Sequence, residues 1–164
     1  SSTTMTLVLG DSLCAAIQYK KKFSKEIFKR YHKGGSLGKN LLLVKDIMTS
    51  GKKIPTIDKN KTIGDAAKVI SAKKLGLVLV MKKNKLISIA TDGDCRRGLA
   101  KFSKNDKIEK IATRNPLKID ENTTAYKALS IMNQKKITSL IISSKSGKIK
   151  GICHIHHLLS HGIK

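Results

Sequence analysis

Three places in the sequence combine residue types that can do chemistry. The first is Thr91-Asp92-Gly93-Asp94, followed by Arg96 and Arg97. A carboxylate at Asp94 can accept from both hydroxyls of a vicinal diol, and the Thr91 hydroxyl can contact ligand and backbone together. The two arginines stand about one helical turn on, where a phosphate would gain from them. The same spacing is also that of a capping box, with Thr91 as N-cap and Asp94 as its acid, so the residues alone leave a ligand corner and a helix cap side by side. The second place is His154, His156 and His157. Alternation at a strand end splits these between faces, and no acidic or cysteine ligand is near in sequence, so a polar contact or a helix-start cap is expected there rather than a metal. The third is His32, in the run His32-Lys33-Gly34-Gly35-Ser36-Leu37-Gly38-Lys39. Imidazole can take and return a proton near neutral pH. The glycines after it do not make a nucleotide P-loop, because the spacing from Gly34 to Gly38 is one residue short and Asn40 stands where Ser or Thr is needed. The hydroxyls of Ser1, Ser2, Thr3 and Thr4 precede a helical pattern and can hold a phosphate or act as caps.

The elements that position these residues come in two copies. Shifted by about 62 residues, Ile57-Asp58 meets Ile119-Asp120, Thr62 meets Thr124, Ala66 meets Ala128 and Lys74-Leu75 meets Lys136-Ile137. Val44 and Ile47 match Ile108 and Ile111. After one extra residue in a turn, Ile89 matches Ile152, Thr91 matches His154 and Asp94 matches His157. In each half the apolar spacing is helical over residues 65–74 and 125–135, behind a Thr cap at Thr62 or Thr124. Short β-branched and Leu-rich runs at 76–81 and 138–143 predict buried strands, followed by hairpin turns and second strands at 86–90 and 148–153. A last helix starts near Gly93 or His156, so each unit reads β-α-β-β-α. Residues 5–17 predict a further helix outside the repeat, capped by Thr4 and apolar on almost every face, which is the pattern of a helix buried in a larger body. With Ser1 in first place, this front end is expected to be the tail of a longer protein.

Composition narrows the partners. Lys+Arg number 34 against 11 Asp+Glu, a formal charge of +23. The excess is nearly all Lys, scattered along the chain, with Arg only at Arg30, Arg96, Arg97 and Arg114. Planar readout of bases and phosphates favours Arg, so nucleic acid is not the expected partner, whereas small anions such as sugar phosphates and nucleotides are. Aromatics at 4% leave a core of Ile, Leu, Val and Ala. Cys14, Cys95 and Cys153 are odd in number and far apart, which fits a reducing cytoplasm and neither a disulfide framework nor zinc. No apolar run approaches the length of a membrane span.

The tandem β-α-β-β-α units, with Ile89-Ala90-Thr91-Asp92-Gly93-Asp94 at a strand-to-helix corner, resemble the CBS pair, or Bateman module. Ser1 to Thr4, Leu9-Gly10-Asp11-Ser12-Leu13 and the His32 to Lys39 run resemble the end of the sugar isomerase (SIS) domain in bacterial D-arabinose 5-phosphate isomerases, which join a SIS domain to a CBS pair. Asp46-Ile47-Met48 and Ile137-Thr138-Ser139 extend that resemblance through the chain. It implies an α/β fold, a tandem CBS pair preceded by the C-terminal helices of a SIS domain, divided as residues 1–42, 43–104 and 105–164. It implies an isomerase interconverting D-arabinose 5-phosphate and D-ribulose 5-phosphate for Kdo and lipopolysaccharide synthesis, without a cofactor and inactive as this stretch alone. His32 falls on the active-site His of the family's H-P-G-G motif, with Lys33 in place of Pro, and Ser1 to Thr4 fall on the substrate side. The CBS pair would sense a nucleotide or sugar nucleotide through Thr91, Asp94, Arg96, Arg97, His154 and His157, and the chain would self-associate. The competing class is a nucleotide-binding CBS module without catalysis.

Overall fold

A computed structural model of the chain describes residues 2–24, 27 and 42–164. Ser1 and His32 lie outside the described residues. Two compact units separate at Leu41/Leu42.

In the first unit, helix α1 spans Ser2–Lys20. Thr4 lies inside its first turn rather than capping it. Hydroxyl residues can stay in a helix by bonding back along it, as Thr6 Oγ1 does to Ser2 O at 3.1 Å and Ser12 Oγ to Val8 O at 2.7 Å. The helix stops where Lys22 turns left-handed (φ 48°) and Phe23 N donates to Gln18 O at 2.8 Å, the closing bond of a Schellman end. All its side chains are exposed, Met5, Leu7, Val8, Leu9, Leu13 and Ile17 included, so the burial expected from their chemistry is not met within the described residues.

The second unit begins with a short helix α2 (Val44–Ile47), held at its start by Leu43 N donating to Asp46 Oδ2 at 3.1 Å. There follow β1 (Thr49–Ser50), β2 (Thr56–Asp58), α3 (Ile63–Lys73), β3 (Leu77–Lys82), β4 (Lys85–Thr91) and α4 (Asp92–Leu99). The second copy supplies β5 (Thr113–Arg114), β6 (Lys118–Asp120), α5 (Ala125–Lys135), β7 (Ser139–Ser143), β8 (Ile149–His154) and α6 (Ile155–Ser160). Single 3-10 turns, Gly51–Lys53 and Ile108–Lys110, stand between β1 and β2 and before β5.

Local chemistry explains most boundaries. Thr62 Oγ1 accepts from Asp65 N at 3.1 Å and Asp65 returns a carboxylate to Thr62 N at 3.2 Å, a reciprocal box that starts α3. Thr124 starts α5 with one such bond, from Lys127 N at 3.3 Å. Both helices end on a left-handed lysine, Lys74 (φ 55°) and Lys136 (φ 53°). The β3–β4 hairpin turns on Lys83 and Asn84, both at positive φ, the type I′ geometry that matches strand twist.

The strands form two sheets in the orders β1-β8-β7-β6 and β2-β3-β4-β5. Each copy therefore lends a two-residue strand to the other: Thr49 pairs with Ile152, and Thr113 pairs with Ile89. Gly151 is where that exchange is tightest. A Cβ there would lie 2.5 Å from Thr49 O and 2.6 Å from Met48 Sδ, so only glycine lets β1 close on β8. One apolar cluster lies on the helix side of each sheet, around Val78, Val80 and Ile108 or around Leu140, Ile142 and Leu158. A third, Leu75, Leu77, Leu79, Ile141 and Ile152, joins the two copies. Ser139 Oγ donates across it to Leu75 O at 2.8 Å.

Candidate functional site

Strand β4 delivers Thr91 to the start of α4. Thr91 Oγ1 accepts from Asp94 N at 3.1 Å, and Asp94 Oδ2 accepts from Thr91 N at 2.9 Å and from Thr91 Oγ1 at 2.7 Å. The other carboxylate oxygen, Oδ1, takes Arg97 Nη2 at 2.7 Å. The cap is thus formed, and it uses one oxygen of Asp94. The oxygen a diol would approach is held by a guanidinium whose side chain is 69% exposed, against 18% for Asp94. Arg97 lies back over Gly93, where a Cβ would sit 3.2 Å from Nη1, so a glycine at the second helical position makes room for this pair. Arg96 is exposed in the last turn. Behind the corner Cys95 is buried, and burial followed by Asp92 and Asp94 raises its thiol pKa, which leaves it protonated and unreactive.

The second copy builds the same corner from imidazoles. His154 N donates to His157 Nδ1 at 3.1 Å, and His156 N donates to His154 Nδ1 at 3.2 Å. His157 Nε2 lies 3.5 Å from Thr49 Oγ1 on the exchanged strand. Burial first, and the neighbouring histidines second, hold both rings below the ordinary imidazole range. These histidines act as caps. Among the described residues no group of three His, Cys, Asp or Glu is placed to hold a metal ion. Buried Cys153 is pushed up to about 12 by desolvation alone.

A third feature was not legible in the sequence. At the hairpin end of the sheets, away from Thr91, an open cavity of about 740 Å³ is lined by both copies. Its aliphatic floor is Ile54, Leu79, Met81, Leu86 and Ile149. Lys52, Lys85, Lys118 and Lys148 stand around it with Thr56, Asn84 and Ser146, and among the described residues no carboxylate lines it. Gly51 (φ 63°) and Gly147 (φ 80°) turn the chain at its rim, with open space where a side chain would be. The lysines come from four separate segments, so nothing in the linear sequence joins them. The only traces are the Lys82-Lys83-Asn84-Lys85 and Ser144-Lys145-Ser146-Gly147-Lys148 turn signals.

Of the residues singled out in the front end, Ser2, Thr3 and Thr4 lie exposed in the first turn of α1, while Ser1 and His32 are outside the described residues. Among the described residues no helix is long and apolar enough to cross a membrane.

Comparison with known proteins adds the context of this geometry. The CBS domain family matches residues 44–101 and 108–164. The arabinose 5-phosphate isomerase KdsD of Yersinia pestis is 36% identical over 167 residues, covering 99% of this chain and 51% of that protein. The enzyme of the same name from Francisella tularensis is 40% identical, over 97% of this chain and 50% of its own length. An uncharacterised protein of Rickettsia prowazekii is 37% identical with the same half-length relation. The chain spans about half the length of the curated relatives it matches. Among solved structures, the CBS domain pair of protein MJ0100, in complex with 5′-methylthioadenosine and S-adenosyl-L-methionine, superposes with a TM-score of 0.65 at 25% identity. That match covers 76% of this chain and 99% of the other. CBSX2 in complex with AMP shares the fold at 19% identity, with a TM-score of 0.64 over 74% of this chain and 96% of its own.

Proposed function

The chain belongs to the CBS domain family, and from that premise we propose that residues 43–104 and 105–164 form a sensor pair for a nucleotide or sugar nucleotide within an arabinose-5-phosphate-isomerase-like protein. The observation that carries the sensing role is the cavity built by both copies. Its floor offers flat aliphatic surface to a base, and four lysines without a carboxylate favour the phosphates. Nucleoside ligands in the MJ0100 and CBSX2 structures support this class of ligand. The Thr91 corner, at the other end of β4, is the second place for a ribose, with Asp94 facing the diol and Arg97 and Arg96 turning to phosphate. His154 and His157 would line the equivalent corner of the second copy.

Catalysis belongs to the larger protein in this reading. His32 moves the proton between the carbons of D-arabinose 5-phosphate and D-ribulose 5-phosphate, the Ser1 to Thr4 hydroxyls face the substrate phosphate, and the remaining groups come from the part of the relatives this chain does not span. Residues 1–42 are then the end of the SIS domain, and the protein is cytoplasmic and self-associating. The identity to enzymes named as arabinose 5-phosphate isomerases across nearly the whole chain supports this.

Calorimetric titration of the chain with ATP, AMP and CMP-sugars tests the sensor. Lys85→Glu combined with Lys148→Glu replaces attraction by repulsion at two exposed positions, and affinity for ATP is expected to fall about tenfold or more at low salt, and by less at high salt. Unchanged affinity in the double variant removes the cavity from the site.

A further inference from the structure

The two helix starts have the same backbone shape and are closed by different acceptors. At α4 the acceptors are a hydroxyl and a carboxylate. At α6 they are the Nδ1 atoms of His157 and His154, each receiving a backbone N–H. A ring nitrogen accepts only while it carries no proton, so both rings are neutral with their hydrogen on Nε2. That tautomer also aims His157 Nε2–H at Thr49 Oγ1, 3.5 Å away on β1. An imidazolium donates from both nitrogens, and protonation would set N–H against N–H in each bond.

Among the described residues, burial and then other histidines act on the two rings, and both work against a charge: His156 and His157 on His154, and His161 and His156 on His157. Of the elements packed on this corner, β1 brings Thr49, α2 carries Lys45 and Asp46, and α5 carries Tyr126, Lys127 and Lys135. Asp46 Oδ2 accepts from Leu43 N at the start of α2. Because the folded chain favours the neutral rings, the stability they contribute is complete above the ordinary histidine value, near pH 6.5, and is lost as the pH falls from there through the lowered folded values.

We infer that the start of α6 is a proton-operated catch, closed at neutral pH and released in mild acid, while the Thr91–Asp94 catch of the same chain stays closed. Release frees β1 from the His157 side, and β1 leads into the Gly51–Lys53 turn that walls the cavity. The catch stands whether or not a nucleotide binds there.

Nitrogen-15 NMR of the full chain tests it. Long-range proton–nitrogen spectra at pH 7.5 should show Nδ1 unprotonated in His154 and His157. Between pH 7.5 and 5.5 the exchange protection of the His154 and His156 amides, corrected for intrinsic rates, should fall roughly tenfold relative to the Thr91 and Asp94 amides, the scale of losing a helix cap. His157→Asp copies the first corner and should keep the His154 amide protected in acid. His154→Thr, an independent variant, should move the protected amide to His157, as Thr91 holds that of Asp94, and keep it protected in acid. An Nδ1–H tautomer in either ring, a protection ratio constant over that range, or acid loss at His154 undiminished in His157→Asp would overturn the inference.

Discussion

Removing the Asp94 side chain separates its work in the fold from its work on a ligand. Asp94→Ala deletes three bonds at once: those from Thr91 N, Thr91 Oγ1 and Arg97 Nη2. The Arg97 bond counts for little, since the guanidinium is 69% exposed and such pairs contribute about 0–1 kcal/mol. The box is different, because the Thr91 amide loses its acceptor at a half-buried helix start and Thr91 loses the partner that fixes its hydroxyl. Half of a capping box is typically worth about 1 kcal/mol and an abandoned buried donor about 1–2 kcal/mol, so the unliganded chain should lose about 1–2 kcal/mol. For a body of this size that is a fall in Tm of about 4–8 °C, readable by differential scanning calorimetry. Arg97→Ala, which leaves the box intact, should move Tm by less, about 0–4 °C on the same scale. Equal shifts for the two variants, or an unmoved Tm for Asp94→Ala, would refute the assignment of Asp94 to the cap.

Two further substitutions probe other parts of the chain. Gly151→Ala would press a methyl onto Thr49 O and Met48, and should destabilise by about 1–3 kcal/mol in chemical denaturation, with exchange protection lost first in β1. In the full-length protein, His32→Ala should slow interconversion of D-arabinose 5-phosphate and D-ribulose 5-phosphate by roughly a hundredfold or more in a coupled assay, the scale of acid-base catalysis, while the chain of residues 1–164 alone should show no turnover.

The parts of the fold readable from sequence are those governed by neighbours in the chain. Thr62 announces a cap, and Thr91 with Asp94 a capping box three residues apart; both are formed, and Asp65 completes the first into a box as well. The strand runs at β3, β4, β7 and β8 fall where alternating burial and turn residues place them, to within a residue or two. What stayed hidden depends on contacts between distant segments. Thr49–Ser50 and Thr113–Arg114 are too short to show any period, so the reciprocal exchange of strands leaves no local trace. The cavity lysines belong to four segments that only the joining of the two copies brings together. The helix α1 starts three residues before the expected position, because a threonine before an apolar run reads as a cap while within this helix the hydroxyls bond backwards instead. The histidine corner was legible in kind but not in detail, since the pairing of Nδ1 with a backbone amide depends on the strand ending in extended geometry at His154 (φ −96°, ψ 151°).

The cap and the ligand reading of the first corner are compatible because Asp94 has two oxygens with different tasks. Oδ2 is committed to Thr91, and drawing it away would cost the helix start about 1 kcal/mol. Oδ1 is held only by Arg97, an exposed ion pair of small net worth. A ribose arriving at Oδ1 therefore displaces a weak partner and leaves the cap whole. The displaced guanidinium stays within one helical turn, beside Arg96, free to meet a phosphate attached to the same ribose. The second corner has no equivalent, since each imidazole has a single unprotonated nitrogen and a backbone amide already occupies it. A diol there would meet no free acceptor and could be met only by an Nε2–H. Two corners descended from one repeat thus differ in what they can offer: the carboxylate corner can accept from a diol with its cap intact, and the imidazole corner, while closed, can only donate to one.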